Sequence, residues 1–132
     1  EGTGGRVDCV VALAVRPGGR EVAVVGKSIA SVLLVSWSPQ GGFTRRRLMP
    51  LTACLEVDPA DQLVSGVFSA DGQWLYLATT ANAVLVVRCE ALQVDHVVRL
   101  PVEAGRVGTL AHHHERGLVA ASCSESIVFL GP

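Results

Sequence analysis

One turn-and-strand unit recurs three times along the 132 residues, and this recurrence constrains the fold more than any other feature. Its clearest copy lies mid-chain. Residues 63–68 (LVSGVF) read as a strand, and Ser69-Ala-Asp-Gly72 follows. The Asp-Gly pair suits a tight turn because Gly tolerates positive φ. Residues 74–79 form a second strand, 80–82 a short polar turn, 83–88 a third strand and 94–100 a fourth, more polar one. Four short strands joined by turns make an antiparallel meander of about forty residues.

The pattern returns on both sides. Upstream, residues 10–15 lead to Arg16-Pro-Gly-Gly19, then to strands at 21–25 and 31–37, with 43–48 as an outer, polar strand. Pro17, Gly18 and Gly19 align with Ala70, Asp71 and Gly72 at an offset of 53. Downstream, residues 107–111 lead to a turn at 112–116, then to strands at 118–122 and 126–130. Leu118 is aligned with Leu75 at an offset of 43. The units therefore cover residues 9–49, 63–100 and 106–130. An insertion at 50–62 separates the first two, with added strand at 51–57 and a turn at 58–62. Spacings of about 40 to 45 residues, with four strands each, are those of propeller blades. The expected class is all-β: a β-propeller of about three blades, each a four-stranded antiparallel meander. A blade exposes an apolar face to each neighbour, and rings close with about four to eight blades. Three do not close, so these belong to a larger ring. Glu1 in place of Met also predicts a longer parent.

Val67-Phe-Ser-Ala-Asp-Gly-Gln-Trp-Leu-Tyr-Leu-Ala-Thr79 resembles the WD-repeat segment in which an apolar-Phe-Ser-Pro-Asp-Gly stretch precedes a Leu-Ala-Thr strand. Residues 12–25 and 109–122 resemble it more weakly, so the likeness covers most of the chain. The repeats are degenerate. Val87-Arg88 stands where the family ends its third strand in Trp-Asp, Trp37-Ser38 is the nearest equivalent in the first unit, and no Gly-His pair precedes any unit. The resemblance implies a non-catalytic protein-interaction scaffold, an intracellular (cytoplasmic or nuclear) subunit of a multiprotein complex. It also implies a structural, amide-capping role for Asp71. Its partners would be other proteins. RNA is a further candidate, as for a non-catalytic subunit of an RNA-modifying enzyme. Residues 68–87 are also similar to YVTN-type and lactonase-like repeats, whose Ser-x-Asp-Gly-x-x-Leu-Tyr pattern is close to residues 69–76. That likeness implies an extracytoplasmic enzyme or ligand binder with metal-binding carboxylates and histidines at the central channel. The inner strands here offer mainly Val, Ala and Leu instead.

Composition narrows the function classes. Hydrophobic residues make up 49%, charged residues 17%, and net charge is −1, so the chain is neither an acidic nor a basic arm. Its overall charge draws it neither to nucleic acid nor to an anionic membrane. The apolar runs are far shorter than the roughly 20 residues of a membrane-spanning helix. No charged-then-apolar leader opens the chain. Cys9, Cys54, Cys89 and Cys123 include no CxxC pair and read as reduced thiols near strands, with two disulfides in a secreted protein as the alternative.

No catalytic, cofactor-binding or metal-binding residue is expected, and neither is a small-molecule substrate. There is no Gly-x-Ser-x-Gly elbow. Gly2-Thr-Gly-Gly5 lacks the Lys-Ser/Thr ending of a phosphate loop. Asp58, Asp61 and Glu56 surround a Pro-bearing turn that does not hold two carboxylates at a set distance. Two clusters are candidates for partner contact. Arg45, Arg46 and Arg47 suit phosphate, RNA or an acidic surface, and equally suit an edge strand protected from association. On such a strand Arg46 would face away from its two neighbours. His112, His113 and His114 read as a solvated turn aligned with residues 69–71. Zinc would need further ligands such as Cys123 or His96, which the spacing does not supply. Trp37 and Trp74 are expected to pack between blades.

Overall fold

The structure, a computed structural model, describes residues 9–29, 31–38, 40–48, 58, 60–113 and 118–130. Eleven strands appear among them: β1 (Val10–Val15), β2 (Glu21–Gly26), β3 (Val32–Trp37), β4 (Phe43–Leu48), β5 (Leu63–Phe68), β6 (Trp74–Thr79), β7 (Ala83–Arg88), β8 (Gln93–Arg99), β9 (Val107–His113), β10 (Leu118–Cys123) and β11 (Ile127–Leu130). They form three antiparallel meanders, ordered β1-β2-β3-β4, β5-β6-β7-β8 and β9-β10-β11. The innermost strands β1, β5 and β9 lie side by side. The all-β, blade-by-blade organisation read from the repeats is the observed one, with three strands described in the third sheet.

The turns explain why the repeats are legible. Gly19 N–H donates to Arg16 C=O (2.9 Å) and Gly72 N–H to Ser69 C=O (3.0 Å), and both glycines have positive φ (74° and 75°). Both hairpins thus carry a Gly at the fourth turn position, where a Cβ would be strained, and the first turn has a second positive-φ glycine, Gly18 (104°), where the second has Asp71.

A shared irregularity sets the alignment of the sheets. In each one, the pairing of the two innermost strands slips at one place: between Val10 and Ala12, between Leu63 and Ser65, and between Ser122 and Cys123 opposite Thr109 and Val107. Val10, Leu63 and Val107 are therefore equivalent, as are Gly26, Thr79 and Cys123. The first offset is 53, as the turns indicate. The second is 44, so Leu75 corresponds to Val119 and not to Leu118. A slip of one residue exchanges the two faces of a strand, and burial agrees: Val119 is fully buried and Leu118 is not.

Two apolar clusters hold the sheets together. Ala23, Val25, Val32 and Leu34 of the first sheet meet Phe68, Leu75, Leu77, Leu85 and Val87 of the second. From the opposite face of the second sheet, Tyr76, Ala78, Val84 and Val86 meet Val107, Leu110, Val119, Ala121 and Leu130 of the third. The second sheet is covered on both sides, which is why β6 and β7 run apolar without alternation. The outer faces of the stack differ. Leu13 and Val15 on the first sheet are 67% and 59% exposed, and Ile127 and Phe129 on the third are 61% and 66% exposed.

Gly66 sits where the first two sheets close. A Cβ there would lie 3.0 Å from both Leu77 Cδ2 and Val25 Cγ2. Gly66→Ala is expected to lower stability by about 1–3 kcal/mol through overpacking. Urea denaturation measures this, and an unchanged midpoint would contradict the close approach.

Candidate interaction surface

Polar side chains at the strand ends bind the turns and blades together. In the β5–β6 turn, Ser69 Oγ donates to Asp71 Oδ1 (2.6 Å) and accepts from Trp74 N–H (3.1 Å), while Gln73 N–H donates to the same carboxylate oxygen (3.0 Å). The amide-capping role implied for Asp71 is present. These donors favour the carboxylate form, the Ser69 hydroxyl most, and hold Asp71 below the usual carboxylate range. A lowered folded pKa means that the stabilisation is complete above 3.8 and is lost as pH falls through the folded value. Asp71→Asn is expected to flatten that acid-side loss. Denaturation midpoints of both proteins between pH 5 and pH 2 (on the order of the range in which carboxylates titrate) measure the difference.

Side chains also reach between blades. Arg16 Nε donates to Gly72 C=O (2.8 Å) while Arg16 Nη1 pairs with buried Glu21 (2.9 Å), tying the β1–β2 turn to the β5–β6 turn. Asn82 Nδ2 donates to Gly105 C=O (2.7 Å) and Asn82 Oδ1 accepts from Val107 N–H (2.9 Å), tying the second blade to the start of the third. Ser65 Oγ accepts from Leu110 N–H (3.2 Å) between β5 and β9. None of these long-range pairs is visible as a local motif.

A hollow of about 460 Å³ lies against the second sheet beside β11. Trp74, Tyr76, Val86, Val98, Phe129 and Leu130 form its apolar wall, with Ser69, Asp71 and His96 also lining it. Burial, assisted by the nearby Asp71 charge, pushes the Tyr76 hydroxyl up, so it stays neutral at physiological pH. Trp74 does more than pack between blades. Its ring carries the Arg88 guanidinium 4.9 Å from the centroid, a cation–π contact. Trp74 and Arg88, with Arg16, Gln73 and Glu90, also line a second hollow of about 420 Å³.

The partner-contact candidates fall in two separate places. Arg45, Arg46 and Arg47 lie on β4, an edge strand of the first sheet. The β3–β4 pairing jumps from Leu33↔Leu48 to Val35↔Arg45, so a bulge falls within the arginine run and interrupts the strict alternation expected of it. The histidines are corrected. His112 and His113 are not in a turn but end β9, opposite Val119 and Leu118. The ladder extends because Leu118 and Val119 continue to offer strand partners. His114 lies outside the described residues, as do the segment 51–57 and Cys54. The expected turn at 58–62 shows Ala60 N–H donating to Asp58 Oδ1 (2.9 Å). Cys9 and Cys123 are free thiols. Among the described residues, no three His, Cys, Asp or Glu side chains gather as metal ligands, and no helix is long and apolar enough to cross a membrane.

No family model matches the sequence, and no curated protein matches it. Solved structures do. The WD40 repeats of RRP9 superpose with a TM-score of 0.69 at 15% identity, over 97% of this chain and 40% of that one. U3-55K gives a TM-score of 0.69 at 15% identity, over 97% and 41%. The fold is part of a WD40-like β-propeller. Hydrazine synthase from Kuenenia stuttgartiensis gives a TM-score of 0.68 at 16% identity, over 99% of this chain and 35% of that one. The chain thus spans between 35% and 41% of these three structures' own length. Likeness at this identity carries the fold alone, and an enzyme shares it, so function has to be read from this chain's own residues.

Proposed function

We propose that this propeller segment belongs to a non-catalytic interaction scaffold, a subunit of a multiprotein complex. The observation that carries the reading is the use made of its polar groups. Ser69, Asp71, Arg16, Glu21, Ser65 and Asn82 hold turns and neighbouring blades in register. A rigid stack with apolar hollows beside it is suited to binding chains, and its inner strands carry mainly Val, Ala and Leu. In this reading Arg45, Arg46 and Arg47 on the β4 edge, His112 and His113 at the end of β9, and the adjoining His114 of the sequence are contacts for partner proteins. An RNA-associated complex would use the arginines. Free thiols at Cys9 and Cys123 suit a reducing, intracellular compartment.

The test is the native state of the full-length parent. Purified from its own cells, it is expected to co-elute stoichiometrically with defined protein partners. A parent that runs alone and turns over a small substrate would overturn the proposal. RNA binding that survives replacement of all three arginines would remove the RNA-associated form of it.

A further inference from the structure

We infer that the hollow between the β6–β7 turn and the link from β8 to β9 binds one acidic segment of a partner protein. Its carboxylates meet Arg99 and Arg106, and an apolar side chain beside them covers Val102. The inference names the chemistry of a partner, and so rests on the scaffold proposal.

The hollow has a volume of about 490 Å³. Thr80, Ala81 and Asn82 border it on one side, and Arg99, Val102 and Arg106 on the other. All of them fall within the described run 60–113, where the second sheet passes into the third.

Hydrogen bonds between the two sides hold the hollow in shape. Leu100 N–H donates to Asn82 C=O (3.0 Å), and the Asn82 side chain bonds both Gly105 C=O and Val107 N–H. The link itself is fixed by a single 3₁₀ turn, Val102–Ala104. In it Ala104 N–H donates to Pro101 C=O (3.1 Å) and Gly105 N–H to Val102 C=O (3.2 Å). Ala104 is buried, and its carbonyl accepts from Glu125 N–H in the β10–β11 turn (2.9 Å). Val102 therefore stands out from a tethered backbone, and at 90% it is the most exposed of the described large hydrophobics. A surface organised before its partner arrives loses little conformational entropy on binding.

Charge selects the partner. Both charged residues of the lining are arginines, and no carboxylate is among them, although the whole chain carries a net charge of −1. The Arg106 backbone is pinned to Ser124, its N–H donating to Ser124 Oγ (3.1 Å) and its C=O accepting from Ser124 N–H (2.9 Å). Its guanidinium has no bonded partner among the described residues. Guanidinium groups match carboxylates with two parallel hydrogen bonds. The exposed apolar surface of Ala81 and Val102 beside them favours protein over nucleic acid. Phosphates laid against it would lose water without a bond in return, whereas a Leu or Val next to a carboxylate covers it.

The probe is a fluorescein-labelled, amidated peptide, Gly-Ser-Glu-Glu-Leu-Glu-Ser-Gly, titrated into the full-length parent and followed by anisotropy. Saturable binding is expected, weakened by about tenfold or more when Gln replaces Glu in the peptide. Arg106→Glu should weaken binding by a similar factor and let the protein take the peptide with Lys in place of Glu. A mere loss of folding does not give that reversal. Val102→Asp, at an exposed position, is a second variant that should weaken binding while leaving the melting temperature unchanged. The site is overturned if the peptide does not bind, or if both variants bind it as the parent does. It is also overturned if a hexaribonucleotide displaces the peptide and binds more tightly through Arg106, because a polyanion would then be the occupant. Protein partners that co-elute equally with the parent and with the double variant would leave the scaffold proposal standing and remove this site.

Discussion

Phe68→Ala is expected to cost about 3–5 kcal/mol of folding stability, the range for removing a buried aromatic ring from a core that only partly collapses. Phe68 ends β5 opposite Leu75 and has no exposed surface. It belongs to the cluster that joins the first sheet to the second, where Val25, Val32, Leu34, Leu77 and Leu85 are also buried. Domains of this size hold about 5–15 kcal/mol in total, so the loss is a large fraction. Phe68→Leu keeps most of the volume and should cost less than about 1.5 kcal/mol. Urea denaturation followed by circular dichroism measures both. A Phe68→Ala loss below 1 kcal/mol (roughly the scale of a surface substitution) would mean that the two sheets are not joined through this cluster.

Asn82→Ala should be the most damaging change at a polar side chain, at about 2–4 kcal/mol. One side chain bonds both Gly105 C=O and Val107 N–H, so truncation loses two hydrogen bonds and leaves two partly buried backbone groups without this partner. Asn82 also adopts φ of 60°, a conformation that Asn tolerates better than Ala. Asn82→Gly separates the two effects. It relieves the backbone and loses only the hydrogen bonds, and should cost about 1–2 kcal/mol. Amide exchange at Val107 should accelerate in both variants. Equal stability of Asn82→Ala and the parent would show that the second and third blades are held by apolar contact alone.

The legible parts of the fold share a physical origin. Ser69-Ala-Asp-Gly72 and Arg16-Pro-Gly-Gly19 are local: their residues decide φ and the closing hydrogen bond within four positions, so pattern alone locates the hairpins. The third unit was harder because no Asp-Gly or Pro-Gly turn marks its first hairpin. With His112 and His113 able to continue a ladder, the strand could run on, and the alignment drawn through Leu118 came out one residue from the register the bulge imposes. Bulge position depends on which residues oppose one another, and a single strand carries no record of that.

The candidate site divides the same way. That Asp71 caps its own turn follows from neighbours at two residues' distance. That Arg16 reaches Gly72, or Asn82 reaches Gly105, follows from the stacking of blades, which brings together residues 56 and 23 positions apart in sequence. The hollow beside β11 is lined from β6, β7, β8 and β11, strands that only the stacking of the second and third sheets brings together.

By itself, the sequence determined that this chain forms short antiparallel strands in repeated meanders, because turn chemistry and apolar runs act over a few residues. It also determined that three such units leave apolar faces unpaired, since the same kind of face recurs on each. Only the tertiary structure decided which face of each strand is covered, which polar side chains clasp neighbouring blades, and where an apolar hollow forms beside the second sheet. Those depend on register and stacking, which are set by contacts between residues far apart in the chain.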